Sequence, residues 1–339
     1  MARFHGGLRA GHGIGSILLL GGFLLGGLLA ALLQSEGAGA ENGSNAETTT
    51  RRLLDALAEK RMDDVVIAVL DRVAADPATT ADFRRSLPLR RATALSSLAR
   101  RESPGARRAA MLEQAAQEVD RCLAAVPTGD EAVAAYTQKG NLLVEQGRIK
   151  LAQAKRPGED AAKLMAEALP LFDGAIAALE APPREPGAEP PPPTNAEDAV
   201  LASLREVDAR LAQLKNTGKE KEGNESSAGK KARRPAKKSS TDVKAMERLE
   251  DRQDELRGEL LQTRLLVGNA YFEKSKALPP GAAEWKGVVR ASAERYRKLF
   301  EKYPKWGAGL YARYYEGRNY LVLAQAETVP EERRKLLDT

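Results

Sequence analysis

Apolar residues in this chain recur three and four positions apart, and almost nowhere at every second position. Leu53, Leu54 and Leu57, then Val65, Val66, Val69, Leu70 and Val73, keep one side of a helix apolar from near Arg51 until Asp76-Pro77 stops it. The same spacing predicts helices over roughly 86–101, 106–126, 130–154, 159–181, 196–216, 243–277, 284–303 and 307–327, with another opening at Pro330. There is no convincing run of alternating β-branched residues, so an all-α fold is expected.

Two stretches break the pattern. Residues 182–193 hold seven prolines, which cannot continue a helix and favour extended polyproline geometry. Thr194-Asn195, with Glu197-Asp198 after it, reads as the next helix start. Residues 216–241 contain no large apolar residue and are expected to form a disordered loop, because they cannot bury enough surface to offset chain entropy. The stripe Val200, Leu204, Val207, Leu211, Leu214 precedes this loop, and Met246, Leu249, Leu256, Leu260, Val267 follows it. Residues 196–277 therefore read as an antiparallel hairpin; a coiled coil with a partner chain is the alternative.

The N-terminus differs in kind. Residues 1–13 carry Arg3 and Arg9 and no acid, and Ile14 to Leu33 is an uncharged run of 20 residues. As a helix it would reach ~30 Å, the thickness of a bilayer's hydrocarbon core, so a transmembrane or signal segment is expected at 14–33. The basic flank predicts that the N-region stays in the cytoplasm and the body is carried across. Two forms of this expectation stand: a retained anchor, or a signal peptide cleaved after Ala40 in Ala38-Gly39-Ala40, giving a secreted chain. Gly22 and Gly26 have the spacing of a helix-pairing motif, although glycine is simply common in this segment. Residues 34–50 are small and polar and read as a flexible tether.

Composition narrows the chemistry. The two histidines, His5 and His12, precede the apolar run, and Cys122 is the one cysteine. The body therefore has no Cys/His zinc set, no His base for a nucleophile and no intrachain disulfide. No P-loop, GxGxxG or HExxH motif occurs, and Asp63-Asp64 and Glu331-Glu332 are sequence neighbours that do not face each other on a helix. No catalytic residue, cofactor or metal is expected. The formal charge of +6 resides in residues 215–240, where nine Lys/Arg meet three Glu; 44 basic and 44 acidic residues remain elsewhere.

A recurring signature runs through the helices. Ala115, Val119, Cys122 and Pro127 place small residues around a larger one, with proline in the turn; Ala168, Phe172, Ala175 and Ser292, Tyr296, Leu299, Pro304 repeat it less completely. Upstream of these sites stand Ser96 with Ala99, Gly140 with Leu143 and Gly268 with Tyr271, and Gly317 with Tyr320 gives a further copy. On these residues the chain resembles the tetratricopeptide repeat family over residues 51–181 and 243–339. The resemblance implies a helical-repeat α-solenoid, a right-handed superhelix whose groove binds peptides or helices of other proteins. The chain departs from the pattern in spacing: Gly140 to Ala168 is 28 residues and Gly268 to Ser292 is 24, against about 12 in a unit of about 34. Loops must therefore be inserted. The family's tryptophan position holds Tyr136, Arg264 or Arg313. The last copy, 278–339, reads as possibly truncated or capped by a short polar helix.

Two surfaces are candidates for binding. Tyr311, Tyr315 and Arg318, in the aromatic stretch Trp306 to Tyr320, are residue types that protein-binding surfaces use, although packing within the repeat explains Tyr311 and Tyr315 equally well. Lys230, Lys231, Arg233, Arg234, Lys237 and Lys238 are a candidate site for anionic lipid or polymer; a solvated linker is the plainer reading. Nucleic acid is disfavoured, since no aromatic residue accompanies the bases. The expected partners are other exported or membrane proteins. The sequence thus reads as a non-enzymatic scaffold of the cell envelope, or alternatively as an envelope tether that uses its basic loop.

Overall fold

The computed structural model describes residues 40–103, 105–126, 128–182, 192–225 and 240–338. These residues form α-helices: α1 (Ala40–Glu59), α2 (Asp63–Ala75), α3 (Ala81–Arg101), α4 (Ala106–Ala125), α5 (Asp130–Gln153), α6 (Ala161–Leu179), α7 (Ala196–Glu225), α8 (Ser240–Ser275), α9 (Ala283–Lys302), α10 (Gly307–Ala326) and α11 (Pro330–Leu337). No strand occurs among the described residues.

Local chemistry sets the helix ends. The Thr80 hydroxyl accepts from the Phe83 amide at 3.2 Å and starts α3 upstream of the sequence expectation. Pro88 sits inside α3, where the lost backbone bond is offset by Phe83 and Leu87, both buried on the turn before it. Asp160 caps α6 by accepting from the Lys163 amide at 3.0 Å. Asn195 accepts from the Asp198 amide at 2.9 Å while its own side-chain amide donates to Asp198 Oδ2 at 2.8 Å, which fixes the start of α7. The single helix expected from Arg51 to Asp76 is broken at Lys60–Met62. Arg61 takes a left-handed conformation, with φ 56°, and the Met62 amide reaches back to the Leu57 carbonyl at 2.9 Å.

The helices pack in series. α3 lies against α4, α5 against α6, α8 against α9 and α10 against α11, and each pair meets the next. The core is handed along the chain rather than gathered in one centre. One cluster joins α1, α2 and α3 through Leu54, Leu70 and Phe83; the next joins α3, α4 and α5 through Ala92, Val119 and Leu142. Further clusters join α5, α6 and α8, then α8, α9 and α10. This is the layout of a generic helical array, in which each element depends mainly on its neighbours.

The small residues of the repeated signature lie at the pair contacts. Ala115, Val119 and Cys122, and likewise Ala168, Phe172 and Ala175, are fully buried. A Cβ on Gly147 would lie 2.6 Å from Cζ of Phe172, and one on Gly268 would lie 2.7 Å from Cζ of Tyr296. The rings of α6 and α9 thus occupy the space those glycines leave on α5 and α8. Cys122 is a buried free thiol whose pKa is pushed up by desolvation and by nearby Glu131, as suits a packing residue.

α7 is inserted between consecutive pairs. It runs antiparallel to α8, with Glu197 beside Arg264 at 2.8 Å and Lys215 beside Glu250 at 3.9 Å. It also packs on α5, through Val133, Val200, Val207, Leu211, Leu256 and Leu260. The two apolar stripes therefore meet within one chain.

Several expectations need correction. Among the described residues no helix is long and apolar enough to cross a membrane. Even α6, rich in Ala and Leu, carries Lys163, Glu167 and Asp173 within its 19 residues. The segment 14–33, for which a transmembrane or signal helix was expected, lies outside the described residues. Among the described residues the fold supported is the all-α array alone, and membrane anchorage is withdrawn as the basis for localisation and function. Residues 40–50 are helical rather than a flexible tether. Glu47 pairs with Arg51 at 2.7 Å and accepts from the Thr80 hydroxyl at 2.7 Å, which ties α1 to the start of α3. That bond from Thr80, helped by Arg51, holds the Glu47 carboxyl below the usual range against desolvation, which acts the other way. Residues 216–225 and 240–241, expected in a disordered loop, extend α7 and α8.

Candidate functional site

Among the described residues, most of the exposed large apolar side chains lie on α10 or just beside it. Trp306 precedes the helix, and Leu310, Tyr314, Gly317 and Leu321 then follow at spacings of three and four, so they share one side. Leu310 is 59% exposed and Tyr314 66%. The opposite side carries Ala312, Glu316, Asn319 and Leu323, all buried against α8 and α9. Asn319 donates to the Ser292 hydroxyl of α9 at 3.1 Å, and that hydroxyl donates to the Gly268 carbonyl of α8 at 2.8 Å. α10 is thus locked in place from one side while its other side remains apolar.

Among the described residues, seven of the eight exposed large apolar side chains fall between Trp306 and Leu337. Singly scattered exposed apolar residues are ordinary; a cluster confined to one end of the chain marks an interaction surface.

The structure brings Tyr311, Tyr315 and Arg318 together at the edge of this surface. The Tyr311 hydroxyl donates to that of Tyr315 at 2.9 Å, and their ring centroids are 4.5 Å apart. The bond to Tyr315 is the main cause that raises the pKa of Tyr311. Arg318 lies over the Phe272 ring of α8 at 4.9 Å and over Tyr315 at 5.8 Å. Tyr315 also stacks on Tyr296, whose hydroxyl burial pushes to a much higher pKa. Tyr315 is therefore half packing residue and half surface, whereas Tyr311 is 51% exposed.

Leu310 and Leu321 are not among the residues noted in the sequence, whereas Tyr314 belongs to the aromatic stretch and shares a helical face with Tyr311 and Tyr315 there. One signal for the two leucines existed there: apolar residues ring the whole circumference of α10, as in a helix covered on every side. Lys230, Lys231, Arg233, Arg234, Lys237 and Lys238 all lie outside the described residues.

α7 covers the surface shared by α5 and α8, and Tyr136 of α5 donates to the Pro193 carbonyl at 3.2 Å. A cleft of about 360 Å³ between α1, α2 and α3 has apolar walls at Leu54, Val66 and Leu89. Its rim is already paired, with Arg90 on Asp55 at 2.6 Å. Among the described residues no group of three His, Cys, Asp or Glu is placed to hold a metal ion. Comparison with protein-family models, with curated proteins and with solved structures finds no match.

Proposed function

We propose that this chain is a non-catalytic helical-repeat scaffold, of the tetratricopeptide kind, that binds other proteins through the outward side of α10. The observation that carries the reading is the cluster of exposed large apolar residues from Trp306 to Leu337 on an otherwise charged surface. Tyr, Trp and Arg are the residues through which protein interfaces gain most of their affinity, and Trp306, Tyr311, Tyr314 and Arg318 stand there together. Support for the repeat kind comes from the placement of Gly147 against Phe172 and Gly268 against Tyr296, where a first-helix glycine receives a second-helix ring.

The test is site-specific photo-crosslinking. A photoreactive phenylalanine replaces Tyr314 in one full-length version and Val243, which is exposed near the start of α8, in another. Irradiation in the source cells should give discrete protein adducts from position 314 that are missing from position 243. Equal adducts from both positions, or none from 314, would remove α10 as the docking surface.

A further inference from the structure

Six of the eight tyrosines fall between Tyr296 and Tyr320, and four of these six form one network of ring contacts. Tyr315 is its centre. It stacks on Tyr296 of α9 with centroids 5.5 Å apart, meets Tyr314 edge-on at 5.1 Å and lies 4.5 Å from Tyr311. The contact with Tyr311 differs from the others. Tyr311 and Tyr315 are four residues apart, so α10 sets one above the other on the same side. Their hydroxyls are 2.9 Å apart, closer than the ring centroids, so the two phenols converge at their oxygen ends. The ring carbons beside each C–O bond are thereby brought toward one another. Those carbons, with the oxygen, hold the unpaired electron of a phenoxyl radical.

We propose that Tyr311 and Tyr315 are a site of oxidative modification, at which a one-electron oxidant joins the two rings as dityrosine and so staples one turn of α10. Each phenol gives one electron to the oxidant and its hydroxyl proton to solvent. The two phenoxyl radicals pair their electrons in a carbon–carbon bond between the positions beside the oxygens. Each bonded carbon then loses its hydrogen as a proton, and each oxygen regains one, which restores two phenols. Two electrons and two protons leave in all, and two equivalents of the oxidant are reduced.

The neighbours direct the reaction to this pair. Tyr296 is buried, and its hydroxyl donates to the Leu265 carbonyl at 3.5 Å, away from water. Burial also raises its pKa, so the proton is held and an electron vacancy there passes to Tyr315, on which it stacks. Tyr314 is exposed, but it is next to Tyr315 in sequence and their rings are perpendicular, which keeps the reactive carbons apart. Arg318 lies over the Tyr315 ring at 5.8 Å and disfavours a cationic ring, so the electron leaves together with the proton. Tyr311 is half exposed and hands its proton to water. These contacts are made within α8, α9 and α10, so the reaction is independent of what lies against the outward side of α10.

The test uses the full chain and a photogenerated ruthenium(III) tris-bipyridyl complex, with persulfate as the electron acceptor. Trypsin cuts after Lys305, Arg313 and Arg318, so Tyr311 leaves on residues 306–313 and Tyr315 on residues 314–318. The expected product is these two peptides joined, lighter than their sum by two hydrogens, with dityrosine emission and with fragmentation that places the link on Tyr315. Tyr311→Phe and Tyr315→Phe should each lose this product, since phenylalanine forms no phenoxyl radical. Oxidation in concentrated urea should lose it as well, because the folded helix is what brings the rings together. A link to Tyr314, an equal yield from the urea-unfolded chain, or cross-linked dimers in place of the internal link would overturn the proposal. So would absence of the joined peptides under conditions that oxidise the exposed Trp306.

Discussion

Phe172→Ala should cost about 3–5 kcal/mol of stability, the largest loss of any single truncation considered for this chain. The ring is fully buried, lies over Gly147, and packs with Val144, Leu151, Ala168 and Ala175, and with Ala270 on α8. Most of these neighbours are small, so few side chains can swing into the space the ring leaves, which places the cost high in that range. Because a helical array unfolds in neighbouring units, the loss should be local. Amide hydrogen exchange on the variant should show protection falling first in α5, α6 and the C-terminal half of α8, with α2 and α3 little changed. A loss below about 1 kcal/mol would mean the contact is loosely packed.

Arg295→Ala should cost about 2–3 kcal/mol. Arg295 on α9 makes a two-pronged contact with Glu180, with Nε to Oε1 at 2.8 Å and Nη2 to Oε2 at 2.9 Å. Its guanidinium also lies over the Tyr271 ring at 3.8 Å and donates to that residue's hydroxyl at 2.8 Å. Tyr271 in turn donates to Glu180 at 3.1 Å. One cluster thus joins the end of α6 to α8 and α9, the joint between two successive helix pairs. Burial and the nearby Glu180 charge raise the Tyr271 pKa, so its hydroxyl stays a donor across the physiological range. The Arg295 and Glu180 side chains are 27% and 25% exposed, so the figure is kept below that of a fully buried pair. Glu180→Ala combined with Arg295→Ala should cost clearly less than the sum of the two, as measured by urea unfolding. Additive losses below about 0.5 kcal/mol each would make the cluster an ordinary surface pair.

Much of this array was legible in the sequence because helical periodicity is a local signal. The spacing of three and four located the helices from α4 to α11 to within a few residues, apart from the end of α7, which runs on to Glu225 where an end near 216 is expected. Asn195 and Pro330 marked two helix starts by their own chemistry. The exceptions have local causes that composition hides. Arg61 breaks what reads as one helix, a cap at Thr80 starts α3 at Ala81 rather than near residue 86, and the Glu47–Thr80 bond draws small polar residues into α1. The position of α7 was not legible, since its contact with α5 joins Val133 to residues near 200 and 256, and no periodicity reports such pairing. The candidate surface was half legible. Tyr311, Tyr315 and Arg318 stood out as types, but the same pattern serves core and interface alike. Only the packing shows that Tyr315 leans on Tyr296 while Leu310, Tyr314 and Leu321 stay largely exposed, Tyr314 standing edge-on to Tyr315.

The central claim is that the outward side of α10 serves binding and not folding. Leu310→Asp/Tyr314→Asp in the full-length chain tests it most directly, with urea unfolding and quantitative capture of proteins from a source-cell extract read on the same preparation beside the unsubstituted chain. The account predicts unfolding within about 0.5 kcal/mol of the unsubstituted chain, as for any exposed substitution, together with loss of the captured proteins. Marked destabilisation with capture intact would contradict it and return these residues to the core.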